Sequence, residues 1–224
     1  MADIRIERIG EEQQPVIVID DFAPDPARLR AAAETLEYRI MGRHYPGLRA
    51  EVAADEVDAF LAPVQALIAD TFGFREPADV ISAGYSIVTT PPESLTPIQR
   101  LPHFDGLEAE RVALLHYLNG PEQGGTAFYR HRSTGFETIS ADRHAAYDAA
   151  LHREVAQHGL PDPAYISGDT LLYERIAHFE ARPNRALIYR GHSLHCADLP
   201  ADLDFTPDPR MARLTVNTFL RGRS

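Results

Sequence analysis

The feature that most constrains this chain is a change of apolar period near residue 79. Before it, apolar residues recur at helical spacing; after it, short runs alternate at period two or form compact β-branched stretches, the pattern of strands. Pro15 to Asp20, bounded by a proline and an acidic turn, is expected to be a buried strand. Asp25-Pro26 opens a helix expected to run to about Tyr38, with Asp25 as N-cap and Pro26 in the first turn. Asp55 to about Phe72 carries Val57, Phe60, Leu61, Val64, Leu67 and Ile68 on one side, which predicts one amphipathic helix.

Strands are expected at Val80–Thr89, Val112–Leu118, Thr126–Tyr129 and Arg213–Leu220, with a loop over Thr90–Pro97. Ala141 to about His158 predicts an inserted helix closed by Gly159 and Pro161. Tyr173–Phe179 and Arg185–Tyr189 are expected to pair across a turn at Arg182-Pro183-Asn184. Helices first, then many short strands, predict a mainly β fold with flanking helices, a barrel or sandwich buttressed by the N-terminal helices. At 224 residues one domain is expected, with 1–78 supplying a strand and supporting helices and 79–224 the β core, the helical insertion lying at about 141–158.

The formal net charge of −11 argues against nucleic acid as a partner, since that binding relies on Lys and Arg neutralising phosphates. Cys196 is the single cysteine, so an internal disulfide and a cysteine-based zinc site are both excluded. Met1 to Gln14 lacks the apolar run of a secretory signal, and no stretch reaches the roughly 18 apolar residues of a membrane span. No membrane association and a cytoplasmic location are the expectations.

Ten histidines stand out. With seventeen aspartates beside them, chance alone places about one His-x-Asp tripeptide in such a chain, so His103-Phe104-Asp105 must be judged by its context. On an extended segment residues i and i+2 face the same way, so His103 and Asp105 can reach one ion together. A second imidazole would complete the two-histidine, one-carboxylate triad of oxygen-activating iron(II) enzymes. His152 and Glu154 lie on the expected inserted helix, where i and i+2 diverge by about 200°. His178 and Glu180, on an expected strand, remain a competing pair. For the third ligand, His192 and His195 both follow an apolar strand and a Gly turn, and spacing does not separate them.

Leu101-Pro102-His103-Phe104-Asp105-Gly106, then Ala113 to Asn119 ending in Tyr117-Leu118-Asn119, then Gly124-Gly125-Thr126, resembles the core of prolyl 4-hydroxylase-type 2-oxoglutarate/Fe(II) dioxygenases. The ending matches too: an Asn184-Arg185 strand leading to a histidine, then a strand bearing arginine. The likeness covers about Tyr85 to Leu220. A closer one, to an uncharacterised bacterial family of that fold, covers nearly the whole chain in phrases such as Val18-Ile19-Asp20-Asp21-Phe22, Tyr45-Pro46-Gly47-Leu48-Arg49 and Phe128-Tyr129-Arg130-His131-Arg132. The resemblance implies a double-stranded β-helix (a jelly-roll, cupin-like barrel) with His103, Asp105 and His195 as metal ligands. It also implies that Arg213 pairs with the distal carboxylate of 2-oxoglutarate and that Tyr117 donates a hydrogen bond to the same group. The eighteen residues from His195 to Arg213 exceed the interval usual in prolyl hydroxylases, which leaves Arg210 as an alternative partner.

The function so implied uses Fe(II), 2-oxoglutarate and O₂ to hydroxylate a C–H bond of a peptide or protein side chain or of a small molecule. The alternatives are a metal enzyme on the same barrel that does not use 2-oxoglutarate, and an inactive binding module. His116, opposite Tyr117 on its strand, is expected to be structural. Tyr129-Arg130-His131-Arg132 is expected either to form ion pairs or to line the substrate entrance. Cys196, beside His195, is expected to be a buried apolar thiol.

Overall fold

The computed structural model describes residues 3–42 and 44–223. Strands β1 (Asp3–Ile9) and β2 (Gln14–Asp20) lead into helix α1 (Pro26–Ala33). Strand β3 (Gly47–Glu51) precedes helices α2 (Ala54–Leu61) and α3 (Gln65–Phe72). Next come β4 (Asp79–Val88), β5 (Arg111–Tyr117), β6 (Gly125–His131) and helix α4 (Ala141–His158). Strands β7 (Tyr173–Glu180), β8 (Arg185–Arg190), β9 (His195–Asp198) and β10 (Leu214–Arg221) close the chain. No helix among the described residues is long and apolar enough to cross a membrane.

The strands form two antiparallel sheets, one ordered β1-β2-β8-β5-β10-β4-β3 and a smaller one ordered β7-β6-β9. Val16, Val18, Leu115 and Leu187 of the large sheet pack against Phe128 and Phe179 of the small one. The opposite face of the large sheet, with Ile17, Leu114, Ile188 and Val216, is covered by Leu29, Phe60 and Ile68 from the helices. Outside the small sheet, Tyr147 of α4 packs on Ala127 and Tyr129. The central strands are therefore buried on both faces, which is why they read as nearly unbroken apolar runs. The mainly β jelly-roll architecture with flanking helices is as expected.

Several local expectations are corrected. The first helix stops at Ala33, well short of Tyr38, because the following chain turns to make a two-way backbone bridge between Arg39 and Arg49, 2.9 Å in each direction. The expected helix over 55–72 is two helices separated by a 3-10 turn, Ala62–Val64, with Pro63 inside it. A proline ring has no N–H to donate and clashes with the preceding turn. The expected pairing of 173–179 with 185–189 is absent: β7 pairs with β6 in the small sheet, and β8 lies between β2 and β5 in the large one. The 182–184 turn instead carries the chain from one sheet to the other. Asn184 there takes a left-handed backbone (φ 61°) and its Oδ1 accepts from the Ala23 amide at 2.9 Å. The segment expected to be a plain loop, Thr90–Pro97, contains a 3-10 turn at Pro92–Ser94, and a second turn, Pro97–Arg100, begins at its last residue. Strands β1, β3 and β9 are additional to those expected, and Arg213 sits just before β10 rather than in it.

Candidate metal centre and its cavity

His103 and Asp105 lie on an extended segment ahead of β5, and backbone bonds seat that segment on the start of β9. The amides of His103 and His195 each donate to the other's carbonyl at 2.8 Å, and the Asp105 amide donates to the Gly191 carbonyl at 2.6 Å. This bridge brings residues more than ninety positions apart to one place. One nitrogen each from His103 and His195 and one oxygen from Asp105 lie within 4.8 Å of one another. His195 Nε2 is 3.4 Å from Asp105 Oδ2, and His103 Nε2 is 3.8 Å from Asp105 Oδ1.

The orientation of the His195 ring follows from its second nitrogen. Nδ1 is 2.8 Å from the Ser193 carbonyl, which can only accept, so Nδ1 carries a proton and Nε2 is the nitrogen turned to the cluster. His103 keeps 53% of its side-chain exposure, within the cavity mouth; desolvation by the surrounding protein, the neighbouring His195 and the Arg49 guanidinium lower it from the usual histidine range, which favours the ring form able to donate electrons. Burial also raises the Asp105 carboxyl, against the opposing pull of His195, Arg49 and Arg111. Two imidazoles and one carboxylate form a mixed nitrogen and oxygen donor set suited to a first-row divalent metal.

The cluster opens on a cavity of about 600 Å³, within the range of small-molecule sites. Arg213, Thr126 and Asn217 share its wall with the three donors. Arg213 is only 4% exposed and its Nη2 donates to the Gly125 carbonyl at 3.1 Å, while its Nε has no partner. Its guanidinium carbon lies 5.5 Å from the centre of the Tyr117 ring. Tyr117 is buried behind the wall, its hydroxyl 2.5 Å from Thr126 Oγ1, and it is Thr126 that faces the cavity. Burial pushes the Tyr117 phenol up, with the Arg213 charge opposing.

The Gly124-Gly125-Thr126 turn has a steric reason. A Cβ on Gly124 would overlap the Asp198 carbonyl oxygen, one on Gly125 would overlap the Phe179 carbonyl oxygen, and Gly124 has φ 90°. The glycines let β6 lie tightly between β7 and β9, which presents Thr126 to the cavity and the Gly125 carbonyl to Arg213.

The alternative ligands fall elsewhere. His192 is buried with its Nδ1 unpartnered and stands outside the donor cluster. Arg210 is exposed and folds back on Asp208, with Nη2 to Oδ2 at 2.8 Å. His178 is 3.4 Å from Asp198, and Glu180 is exposed. His152 contacts Asp148, while Glu154 binds His131 at 2.8 Å. His116 sits in the helix-side core, 2.9 Å from Asn184 Oδ1, in the structural position expected of it. Cys196 is buried, its thiol pushed up to about 12 by burial.

The entrance role considered for Tyr129–Arg132 is corrected. None of the four lines the cavity. Arg130 bonds Glu137 at 2.6 Å and Glu174 at 3.1 Å, Arg132 bonds Asp169 at 2.8 Å, and Tyr129 is fully buried. Carboxylates on neighbouring loops and strands satisfy these cations instead. Conversely, the sequence alone assigns no role to Tyr45 or Arg49, yet both line the cavity. The missing signal was β3, a five-residue edge strand.

The sequence profile of a family described as a family of unknown function (DUF6445) matches residues 1–220. The chain belongs to that family. No curated protein matches it in sequence. Among solved structures, this family member is similar to HygX from Streptomyces hygroscopicus with iron bound, at 13% identity and a TM-score of 0.56, over 95% of this chain and 84% of that one. It is also similar to HygX with nickel, 2-oxoglutarate and hygromycin B bound, at 13% identity, a TM-score of 0.54 and the same coverages of 95% and 84%. A third similar structure is SnoK, described as a non-heme alpha ketoglutarate dependent carbocyclase from nogalamycin biosynthesis. It has 14% identity and a TM-score of 0.55, over 94% of this chain and 81% of that one. At such identities the likeness is one of fold.

Proposed function

We propose that this chain is a 2-oxoglutarate- and Fe(II)-dependent oxygenase, prolyl 4-hydroxylase-like in its motifs, that hydroxylates a C–H bond of a small metabolite or of a peptide side chain. One observation carries the reading: the only His/Asp/Glu/Cys donor cluster found among the described residues lines the same cavity as a buried arginine with an unpartnered nitrogen. The donor chemistry fits iron, with His103, Asp105 and His195 as its ligands. Arg213 fits a carboxylate, because a guanidinium stays charged when buried and offers a planar fork of donors. The bound metal, with 2-oxoglutarate and O₂, would supply the oxidation.

The chain's own residues have separate tasks in this reading. The Ser193 carbonyl fixes the proton on His195 Nδ1 and so orients the ring. Arg213 holds the distal carboxylate of the cosubstrate, and Thr126, backed by the Tyr117 hydroxyl, offers a hydrogen bond beside it. The interleaved apolar residues between the sheets keep water from the inner end of the cavity. HygX, similar in fold, binds 2-oxoglutarate and hygromycin B, which supports a small-molecule substrate for this chain.

Turnover is tested by incubating the iron-loaded protein with 2-oxoglutarate in air and measuring succinate and O₂. Slow succinate release matched one to one by O₂ uptake, and lost in Asp105→Ala, is expected. O₂ uptake without succinate would instead indicate an oxygenase of another type on the same barrel.

A further inference from the structure

Arg49 projects from β3 into the cavity that holds the His103, Asp105 and His195 donors. Its backbone is pinned by the two bonds with Arg39, and Gly47 lets β3 lie close on β4, since a Cβ there would overlap the Ile87 carbonyl oxygen. Its guanidinium carbon stands over the Tyr45 ring, 4.1 Å from its centre, a cation–π contact that holds the guanidinium in place. Among the described residues the Arg49 side chain has no hydrogen bond or ion pair, and its Nε and the Tyr45 hydroxyl are both buried without partners.

That is unusual in this chain. It has 33 acidic against 22 basic side chains; outside the cavity the buried Arg185 pairs with Asp20 at 2.6 Å, and Arg30, Arg100 and Arg190 bond backbone carbonyls. A buried polar group held in place without a partner calls for one. The cavity thus contains two guanidiniums, Arg213 and Arg49. On the proposed function, the two carboxylates of 2-oxoglutarate are taken by the metal and by Arg213, so Arg49 is surplus to the cosubstrate. The remaining walls include Ile98, Leu101, Phe104, Leu151, Ile166 and Phe219, which are apolar.

We infer that Arg49, braced by Tyr45, recognises a carboxylate on the primary substrate, so that the substrate is a small acid with an apolar body. This rests on the proposed oxygenase reading. The test titrates 3-phenylpropionate and octanoate, each against its own amide, into the full-length iron(II) protein. The titration is anaerobic, uses saturating 2-oxoglutarate to fill the Arg213 site, and is read by calorimetry. The absorption band of the iron–2-oxoglutarate complex is recorded on the same samples. At least one acid is expected to bind about 10-fold or more tightly than its amide, the scale of a charge-assisted hydrogen bond. Arg49→Gln should erase that preference and Arg49→Lys should retain part of it, with the band unchanged in both.

Equal binding of acid and amide by the wild-type protein, including no measurable binding of either, overturns the inference. So does a preference that survives Arg49→Gln. Loss of the band in Arg49→Gln would make Arg49 a cosubstrate ligand, which also overturns it. Absence of the band from the wild-type protein is a different failure, that of the oxygenase reading itself.

Discussion

His195 presents Nε2 to the cluster because its other nitrogen is committed to the Ser193 carbonyl. Spacing left His192 and His195 equivalent. What separates them is the bridge from His103 to His195, a contact between distant segments with no local sequence signature. The same holds for Arg213 and Arg210, only three residues apart: one is walled in beside Gly125 and the other is neutralised by Asp208 at the surface. Arg213→Gln is expected to weaken 2-oxoglutarate binding about 10-fold or more with metal binding unchanged, whereas Arg210→Gln leaves both within about twofold. Cosubstrate titration of both variants reads this directly. His116 sets a pH limit of another kind. Buried between Phe22 and Phe60, it is pulled down to about 4 by desolvation, partly offset by its bond to Asn184. An unfolded histidine titrates near 6.5, so between the two values the unfolded chain binds more protons and stability falls as pH drops. That contribution is complete above about 6.5 and costs about 2 kcal/mol by pH 5. Urea unfolding at pH 7.5 and pH 5 should show a decline smaller by about that amount in His116→Gln than in the wild-type protein; equal declines would contradict the assignment.

At the scale of elements, the sequence is most legible where both faces of a strand are covered. β2, β5 and β8 are such strands, and their apolar runs announce them. Strands β3 and β9 have only five and four residues, too few to show a period, whereas β1 does alternate over Asp3–Glu7 but keeps Ile4 and Ile6 on an exposed face. The extent of α4 was readable to the residue because Gly159, with φ 85°, ends it. The break at Pro63 was readable in principle, since proline inside a helical pattern stops it, yet the continuous apolar stripe on either side concealed it. The Gly124-Gly125 turn yields a prediction of its own. Gly124→Ala places a Cβ against the Asp198 carbonyl and forces an alanine to φ 90°, which is expected to cost about 1–3 kcal/mol. Because Arg213 binds the next residue's carbonyl, cosubstrate affinity should fall as well. Thermal unfolding and 2-oxoglutarate titration of one preparation measure both effects.

For the whole molecule, the large sheet separates two apolar regions with different tasks. Helices α1 to α3 seal its outer face and make no part of the donor cluster, while the inner face, with the small sheet and α4, encloses the cavity. Fold class was legible because helices preceding a run of strands must cover one sheet face. The switch of β7 and β8 between sheets was not, since a turn does not state which partner its strands will find. This division predicts that Phe60→Ala, which empties a fully buried aromatic position in the helix layer, lowers stability by about 3–5 kcal/mol. Metal affinity, measured well below the melting temperature, should stay within about twofold. A large loss of metal binding in a still-folded Phe60→Ala protein would mean that the helix layer shapes the centre directly.

The central claim is that His103, Asp105 and His195 together hold one iron(II) ion with room left for a chelating cosubstrate. It is tested most directly by anaerobic titration of the iron(II) protein with 2-oxoglutarate, following the visible metal-to-ligand charge-transfer band. A band saturating at one equivalent, abolished by His195→Ala and retained by His192→Gln, is the predicted result. No band in the wild-type protein, or one that survives His195→Ala, would contradict the account.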